Sequence, residues 1–303
     1  ALVALSRDTA RPGITRATAI TLIPQNPAQY SVSAIQTALA DRDPLIRRSA
    51  AEQLELLDPT MQGPMGLPLL ADSVRTVRLA ALPALAGLPD SGWTEAQRGA
   101  LARVLAEYRA SQAFNGDRPE SWVNLGNLDR RLGQPRAAEE EYLHAIRLQP
   151  QFVAAYMQLA ELYRTAGREV QADSVLRMGL DRVPGNLDLQ YQLGLALVRQ
   201  GKKADALPLL KAAASGNAHY AYVYGVALYD AGQAGPAVAT LQKALAAAPD
   251  DRELLYGLAS IAAAAGQRNV ALPAARRLAA LDPGNQDIQR FLEQLERGAA
   301  PPQ

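Results

Sequence analysis

The stretch that decides the fold is residues 119–150, PESWVNLGNLDRRLGQPRAAEEEYLHAIRLQP. Apolar and small residues recur at helical intervals on both sides of Gly133, and Pro150 closes the stretch. Glycine ends a helix readily because it adopts a left-handed backbone at little cost, whereas proline cannot continue a helix. The stretch therefore predicts two antiparallel helices joined by a tight turn at Gly133.

The same pattern returns along the rest of the chain at intervals of about 34 residues. Each copy has a small residue in its first helix, a glycine at the turn and an alanine in its second helix. The first-helix residues are Gly126, Ala160, Gly194, Gly225 and Ala259; the turn glycines are Gly133, Gly167, Gly201, Gly232 and Gly266; the second-helix alanines are Ala138, Ala172, Ala206, Ala237 and Ala271. Small side chains let paired helices approach closely. The fourth copy begins three residues early, so the second helix of the third copy, or its loop near 215–217, must be shortened.

These landmarks, together with Trp122, Leu125 and Tyr142, resemble the spacing of tetratricopeptide (TPR) repeats. Asp129 departs from the pattern, because the family usually has an aromatic residue there. The resemblance covers residues 118–285 as five TPR units. Residues 286–303 predict an amphipathic capping helix and a tail, as the open end of a solenoid requires.

A second repeat occupies residues 1–90. Arg16, Arg47 and Arg78 recur every 31 residues, and Asp41 and Asp72 precede the last two arginines at equal distance. The segments DPLIRRSAAEQLELL and DSVRTVRLAALPALAGL resemble short HEAT repeats. We expect about three such units, the first of them incomplete, which suggests further chain upstream.

Residues 91–117 predict a connecting helix between the two arrays. Thr94 and Gln97 match the capping-box pattern at the start of a helix. The predicted fold is therefore all-α: an α-solenoid in which a HEAT-like array is joined by this splice helix to a five-unit TPR superhelix.

The composition restricts the possible functions. Lys and Arg number 31 against 30 Asp and Glu, a net charge of +1, and no dense basic cluster occurs, so we expect no nucleic-acid partner. The absence of cysteine excludes disulfides, thiolate metal sites and haem attached within this chain. No apolar stretch approaches the ~20 residues of a membrane span.

Catalytic motifs are also missing from the sequence. The two histidines, His144 and His219, lie on different repeats, and His144 falls on the outer helix of its unit, where we expect it to face solvent. No nucleophile and base stand in a known order, and no phosphate-binding or dinucleotide-binding loop is found. We therefore expect that the chain is not an enzyme.

The TPR resemblance implies that the first helices of successive units line a concave groove, with the fifth, ninth and twelfth positions facing it. The candidate groove residues at these positions are Asn127, Arg130, Met157, Glu161, Arg164, Tyr191, Tyr222, Tyr229 and Tyr256. Tyrosine gives a large contact area with a polar tip and is common in binding surfaces. A tyrosine on a first helix can equally well pack only against the next unit, so both interpretations remain open.

Binding of a chaperone tail by a TPR carboxylate clamp is disfavoured. Val123, Gln158 and Asp188 stand where that clamp has lysine, asparagine and lysine. Asn127 alone fits.

The order of the segments also resembles the C-terminal solenoid half of bacterial multihaem c-type cytochromes. The similar stretches are DPLIRRSAAEQL, EYRASQAFNGDRPESWVNLG and AELYRTAGREVQADSVLRMGL. The haem-attachment motif CxxCH is absent here. The resemblance implies that this chain holds no cofactor, that haem belongs to an upstream region or a partner, and that the protein is periplasmic or extracellular.

Two hypotheses for the function follow. In the first, the chain is a scaffold whose groove binds a protein or peptide, with a multihaem cytochrome or an electron-transfer assembly as the partner. In the second, it is a structural protein that self-assembles through solenoid stacking into an oligomer or filament.

Overall fold

The computed structural model describes residues 1–23 and 29–297, apart from the side chains of residues 29–31. Eighteen α-helices and no strand occur in these ranges, which confirms the predicted all-α repeat fold. The chain divides into two compact units, Ala1–Gln149 and Pro150–Gln303. The first unit thus contains the first TPR hairpin as well as the N-terminal array.

The described residues of the first unit, 1–23 and 29–149, form nine α-helices. They are α1 (Leu2–Arg7), α2 (Gly13–Leu22), α3 (Gln29–Leu39), α4 (Pro44–Glu52), α5 (Pro59–Gly66), α6 (Arg75–Leu85), α7 (Glu95–Phe114), α8 (Pro119–Arg131) and α9 (Pro135–Leu148). Short 3-10 turns follow α4 and α5. The core of this array is formed by buried aliphatic side chains such as Ile20, Ile35, Ile46 and Val77.

The arginines that recur every 31 residues make a repeated contact between neighbouring hairpins. The pairs are Arg16–Asp41, Arg47–Asp72 and Arg78–Glu107. In the central pair, Arg47 Nε and Nη2 donate to the two oxygens of Asp72 at 2.7 and 3.0 Å. Arg47 Nη1 also donates to the carbonyl of Asp41 at 2.9 Å. Each arginine side chain therefore bonds both its own repeat and an acid of the next.

The connecting helix α7 begins at the predicted capping box. The Thr94 hydroxyl accepts from Gln97 N, and the Gln97 side chain accepts from Thr94 N. Near the end of the helix, Arg109 forms an ion pair with Asp129 on α8, which is only 1 % exposed. This pairing accounts for an acidic residue at a position where the TPR pattern has an aromatic one.

Nine further helices occur in the described part of the second unit, residues 150–297. They are α10 (Val153–Thr165), α11 (Glu169–Arg182), α12 (Leu187–Arg199), α13 (Lys203–Ala213), α14 (Ala218–Asp230), α15 (Ala234–Ala247), α16 (Arg252–Ala264), α17 (Arg268–Leu281) and α18 (Gln286–Arg297). Helices α10 to α17 pair in sequence as four hairpins. The capping helix α18 packs on α17 and buries Phe291 and Leu295.

The hairpins of both units close around their small residues. A side chain at Gly126 would meet the Tyr142 ring at 2.4 Å, and one at Gly225 would meet Leu241 at 2.9 Å. The turn glycines have a left-handed backbone, for example a φ of 70° at Gly133. Helix α13 has 11 residues, whereas α15, the equivalent helix of the next hairpin, has 14. The three residues missing from the third copy therefore come from its second helix.

Candidate functional site

Two of the predicted groove residues, Asn127 and Arg130, lie in the first unit, on α8. The amide oxygen of Asn127 accepts a hydrogen bond from the Tyr142 hydroxyl at 2.8 Å. Both side chains are half-buried. Asn127 is therefore engaged with the second helix of its own hairpin.

In the second unit, Met157, Glu161 and Arg164 line a cleft of about 200 Å³ between α10, α11 and α12. Arg164 donates to both oxygens of Glu161, at 2.6 and 2.5 Å. Helices α11 and α12 contribute the apolar side chains of Ala172 and Ala196 to the lining, together with the polar side chains of Gln192 and Arg199. The charges of Glu161 and Arg164 largely neutralise one another.

The four predicted tyrosines belong to a second surface, formed by the first helices α12, α14 and α16. We call it the tyrosine face, and its residues are Asp188, Tyr191, His219, Tyr220, Tyr222, Val226, Tyr229, Glu253 and Tyr256. The three helices are aligned by similar N-terminal caps, in which Asn186, Asn217 and Asp251 accept hydrogen bonds from backbone N–H groups.

A chain of hydrogen bonds crosses three consecutive hairpins at the N-terminal ends of these helices. The Tyr191 hydroxyl lies 2.9 Å from His219 Nε2, and His219 Nδ1 lies 2.9 Å from the Glu253 carboxylate. Tyr191 is only 8 % exposed. Its ring therefore serves mainly to join its hairpin to the next.

Tyr220 adds a second link between α12 and α14. Its ring stacks on Tyr191 with centroids 4.0 Å apart, and its hydroxyl donates to Asp188 at 2.6 Å. Burial, followed by this hydrogen bond, raises the pKa of Tyr220 to about 12. The hydroxyl therefore stays protonated and remains a donor at any physiological pH.

The remaining residues of the tyrosine face are more accessible. Tyr222 is half-buried against Gly257, whose Cα faces the ring with no side chain between. Val226, Tyr229 and Tyr256 are 38, 39 and 50 % exposed. Tyr222, Val226 and Tyr229 follow one another at helical intervals, so they form one stripe along α14. The large side chains of Val226, Tyr229 and Tyr256 are thus exposed to solvent. They lie beside the rigid edge that the hydrogen bonds of Tyr191, His219 and Glu253 form.

Five residues of the tyrosine face were not among the predicted groove residues, namely Asp188, His219, Tyr220, Val226 and Glu253. Asp188, His219 and Glu253 are each the second residue of a first helix, and Val226 is the ninth residue of α14, so a count of helix positions could have found these four. The prediction for His144 was wrong: its ring stacks on Trp122 with centroids 3.8 Å apart and is half-buried. The Trp122 ring on α8 covers His144, which the helical period of α9 alone would place on the outer surface.

Two features are absent from the described residues. No group of three or more potential metal ligands occurs among them. None of their helices is long and apolar enough to cross a bilayer.

The helical hairpins define the class of protein, an α-solenoid of tandem repeats. The tetratricopeptide repeat model matches residues 123–187, 191–252 and 222–286, just over half of the chain. The chain therefore belongs to the tetratricopeptide repeat family. Proteins of this family are in general protein-interaction scaffolds.

Several solved structures are similar to the chain. YrrB, described as a TPR protein with an unusual peptide-binding site, is 20% identical over 60% of this chain and 96% of its own, with a TM-score of 0.46. The type IV pilus biogenesis factor PilW is 20% identical over 59% and 85%, with a TM-score of 0.48. A thermophilic TPR protein of Thermus thermophilus is 24% identical over 59% and 99%, with a TM-score of 0.41. A search of the curated proteins gave no match.

Proposed function

We propose that this chain is a non-catalytic scaffold that binds a partner protein or peptide along the first helices of its TPR units, chiefly through the tyrosine face. The observation that carries the proposal is the exposure of Val226, Tyr229 and Tyr256 on adjacent first helices. Exposed clusters of large apolar and aromatic side chains are characteristic of interaction sites. The edge formed by Tyr191, His219 and Glu253 supports it further, because a preorganised surface loses less entropy on binding.

The residues proposed to contact a partner are therefore fewer than the candidate groove residues. Tyr229 and Tyr256 are the residues expected to contact a partner directly, whereas Tyr191 and Tyr222 hold the helices together. Met157 and Arg164 contribute the neighbouring cleft, whose mixed apolar and polar lining suits an extended peptide.

Site-specific photo-crosslinking tests the proposal. A photoreactive amino acid replaces Val226 on the tyrosine face or, as a control, Val170 on the second helix α11, which is 81 % exposed. In extracts of cells that make the protein, we expect a discrete crosslinked partner from position 226 and none from position 170. Equal labelling from both positions, or none from position 226, would contradict the proposal.

The partner and its location are proposed from sequence resemblance. We infer that the scaffold serves an exported multihaem cytochrome or electron-transfer assembly in the periplasm or outside the cell, with haem held outside this chain. The crosslinked partner decides this point, because a cytochrome has an absorbance spectrum and attached haem that mass spectrometry detects.

Self-assembly is the second candidate function, and one observation favours it. Ile14 is 63 % and Leu22 is 40 % exposed, and with Leu2 and Leu5 they line an apolar cleft of about 280 Å³ on α1 and α2. Apolar end faces of solenoid units are the surfaces that stack. A photoreactive amino acid at position 14 gives covalent dimers of this chain if the second candidate is correct, and no dimers if the chain acts as a monomeric scaffold.

A further inference from the structure

The tyrosine face carries two carboxylates that lack a lysine or arginine partner among the described residues. Asp188 is bonded by the Tyr220 hydroxyl, and Glu253 by the His219 ring. A hydroxyl group or a neutral imidazole ring leaves the charge of a carboxylate largely uncompensated, whereas an ammonium or guanidinium group would neutralise it.

Other charged groups on the same three helices are compensated. Asp230, at the end of α14, binds the Lys203 ammonium at 2.6 Å. Arg252, at the start of α16, pairs with Asp282 at 3.5 Å and donates to the carbonyl of Leu281 at 3.0 Å, so it points toward the following turn. The chain is nearly neutral as a whole, but the tyrosine face is acidic.

Aromatic rings stand beside both carboxylates. The stacked pair of Tyr191 and Tyr220 adjoins Asp188, and the His219 ring, which also bonds the Tyr191 hydroxyl, adjoins Glu253. The face of a tyrosine ring attracts a cation, and the planar guanidinium group of arginine also stacks on it. Carboxylate and ring together form the chemical environment that suits an arginine side chain.

The geometry points to a specific kind of partner. We propose that the tyrosine face binds a cationic and apolar peptide segment, with arginine or lysine side chains at Asp188 and Glu253 and apolar side chains over Val226, Tyr229 and Tyr256. This inference rests on the proposed function, because it assigns the chemistry of the partner at the same surface. The neighbouring cleft has no such preference for a cationic side chain, because Arg164 already pairs with the Glu161 carboxylate there.

Three labelled peptides test the charge preference. One alternates arginine with leucine, and the other two replace arginine by glutamine or by glutamate. In fluorescence anisotropy at low salt we expect the arginine peptide to bind the intact chain on the order of tenfold more tightly than the glutamine peptide, with the glutamate peptide weakest. The advantage should shrink at high salt because exposed charges are screened.

Matched variants locate the effect. Asp188→Asn with Glu253→Gln should remove most of the preference for arginine, whereas Asp287→Asn with Glu293→Gln should keep it. The control changes the same residue types on α18, and Asp287 is the second residue of its helix, as Asp188 is of its own. Thermal unfolding of both double variants verifies that they are folded.

The outcomes separate this inference from the proposed function. Equal binding of the three peptides, binding of none, or an undiminished preference in the Asp188 and Glu253 variant would overturn the inference. A discrete partner crosslinked at position 226 would still support the proposed function in each of these cases. Failure of that crosslinking contradicts the proposed function whatever the peptides do.

Discussion

Glu141, on α9, has a carboxyl group that keeps its proton at neutral pH. Burial, followed by the nearby Asp129 carboxylate, raises the pKa of Glu141 to about 8. Its Oε2 atom is buried and has no hydrogen-bond partner among the described residues. The folded-state pKa thus lies above the ordinary value of 4.5. The favourable contribution of the protonated carboxyl group is complete below about pH 4.5 and is lost as the pH rises through 8.

The Glu141→Gln variant tests this linkage. The wild-type first unit should lose stability between pH 5 and pH 9, and the variant, which carries no ionisable group at this position, should lose less. Both tryptophans, Trp93 and Trp122, lie in the first unit, so urea denaturation followed by tryptophan fluorescence reports on it selectively. The exposed neighbour Glu140→Gln serves as the control. An equal loss of stability in wild type and the Glu141 variant would show that Glu141 ionises normally.

Two tyrosines at the same repeat position show what the sequence could and could not predict at this scale. Tyr191 and Tyr256 are both fifth in their helices, and the repeat period places both at the groove. Tyr191 is covered by Tyr220 of the following hairpin, whereas the ring of Tyr256 lies tilted against Phe291 on the capping helix, with centroids 5.7 Å apart, and stays 50 % exposed. Their different exposure depends on the next repeat, which a count within one repeat does not include.

At the scale of helices, the close approach within a hairpin depends on a small residue in the first helix, which is glycine in three of the five hairpins: Gly126, Gly194 and Gly225. Gly126→Ala should destabilise the first unit by about 1–3 kcal/mol, because the new methyl group overlaps the Tyr142 ring. Gly235→Ala on α15 has open space around it and should stabilise the second unit by about 0.4–1 kcal/mol through lower entropy of the unfolded chain. Urea denaturation by tryptophan fluorescence for the first variant and by circular dichroism for the second measures both. If Gly126→Ala is as well tolerated as Gly235→Ala, the Tyr142 ring does not exclude a methyl group at position 126.

Helix positions followed from the sequence because their determinants are local. Turn glycines and capping residues such as Thr94 can be read from spacing alone, and so can the loss of three residues from the third copy, whereas the structure places that loss in α13 rather than in its loop. The partners of the recurring arginines could not be read in this way. Arg47 bonds Asp72 of the next hairpin through its side chain and Asp41 of its own hairpin through a carbonyl, and only the stacking of hairpins decides between the two.

At the scale of the whole molecule, the balanced composition conceals an uneven surface. A net charge of +1 predicts no preference for charged partners, yet Asp188 and Glu253 give one TPR surface an acidic character. Charge patterns of this kind determine which partner is accepted and how fast it associates. They depend on which ion pairs form in the folded chain, so total composition does not reveal them.

Binding at the tyrosine face depends most directly on Tyr229 and Tyr256. The decisive measurement is a calorimetric titration of the crosslinked partner, once purified, into wild type and the Tyr229→Ala, Tyr256→Ala double variant. Phe114→Ala with Val170→Ala is the control, since these side chains are 90 and 81 % exposed outside the tyrosine face. We predict that the tyrosine variant binds about a hundredfold more weakly, roughly 2.7 kcal/mol, with an unchanged unfolding transition. An affinity within threefold of wild type would contradict the claim that the tyrosine face is the binding surface.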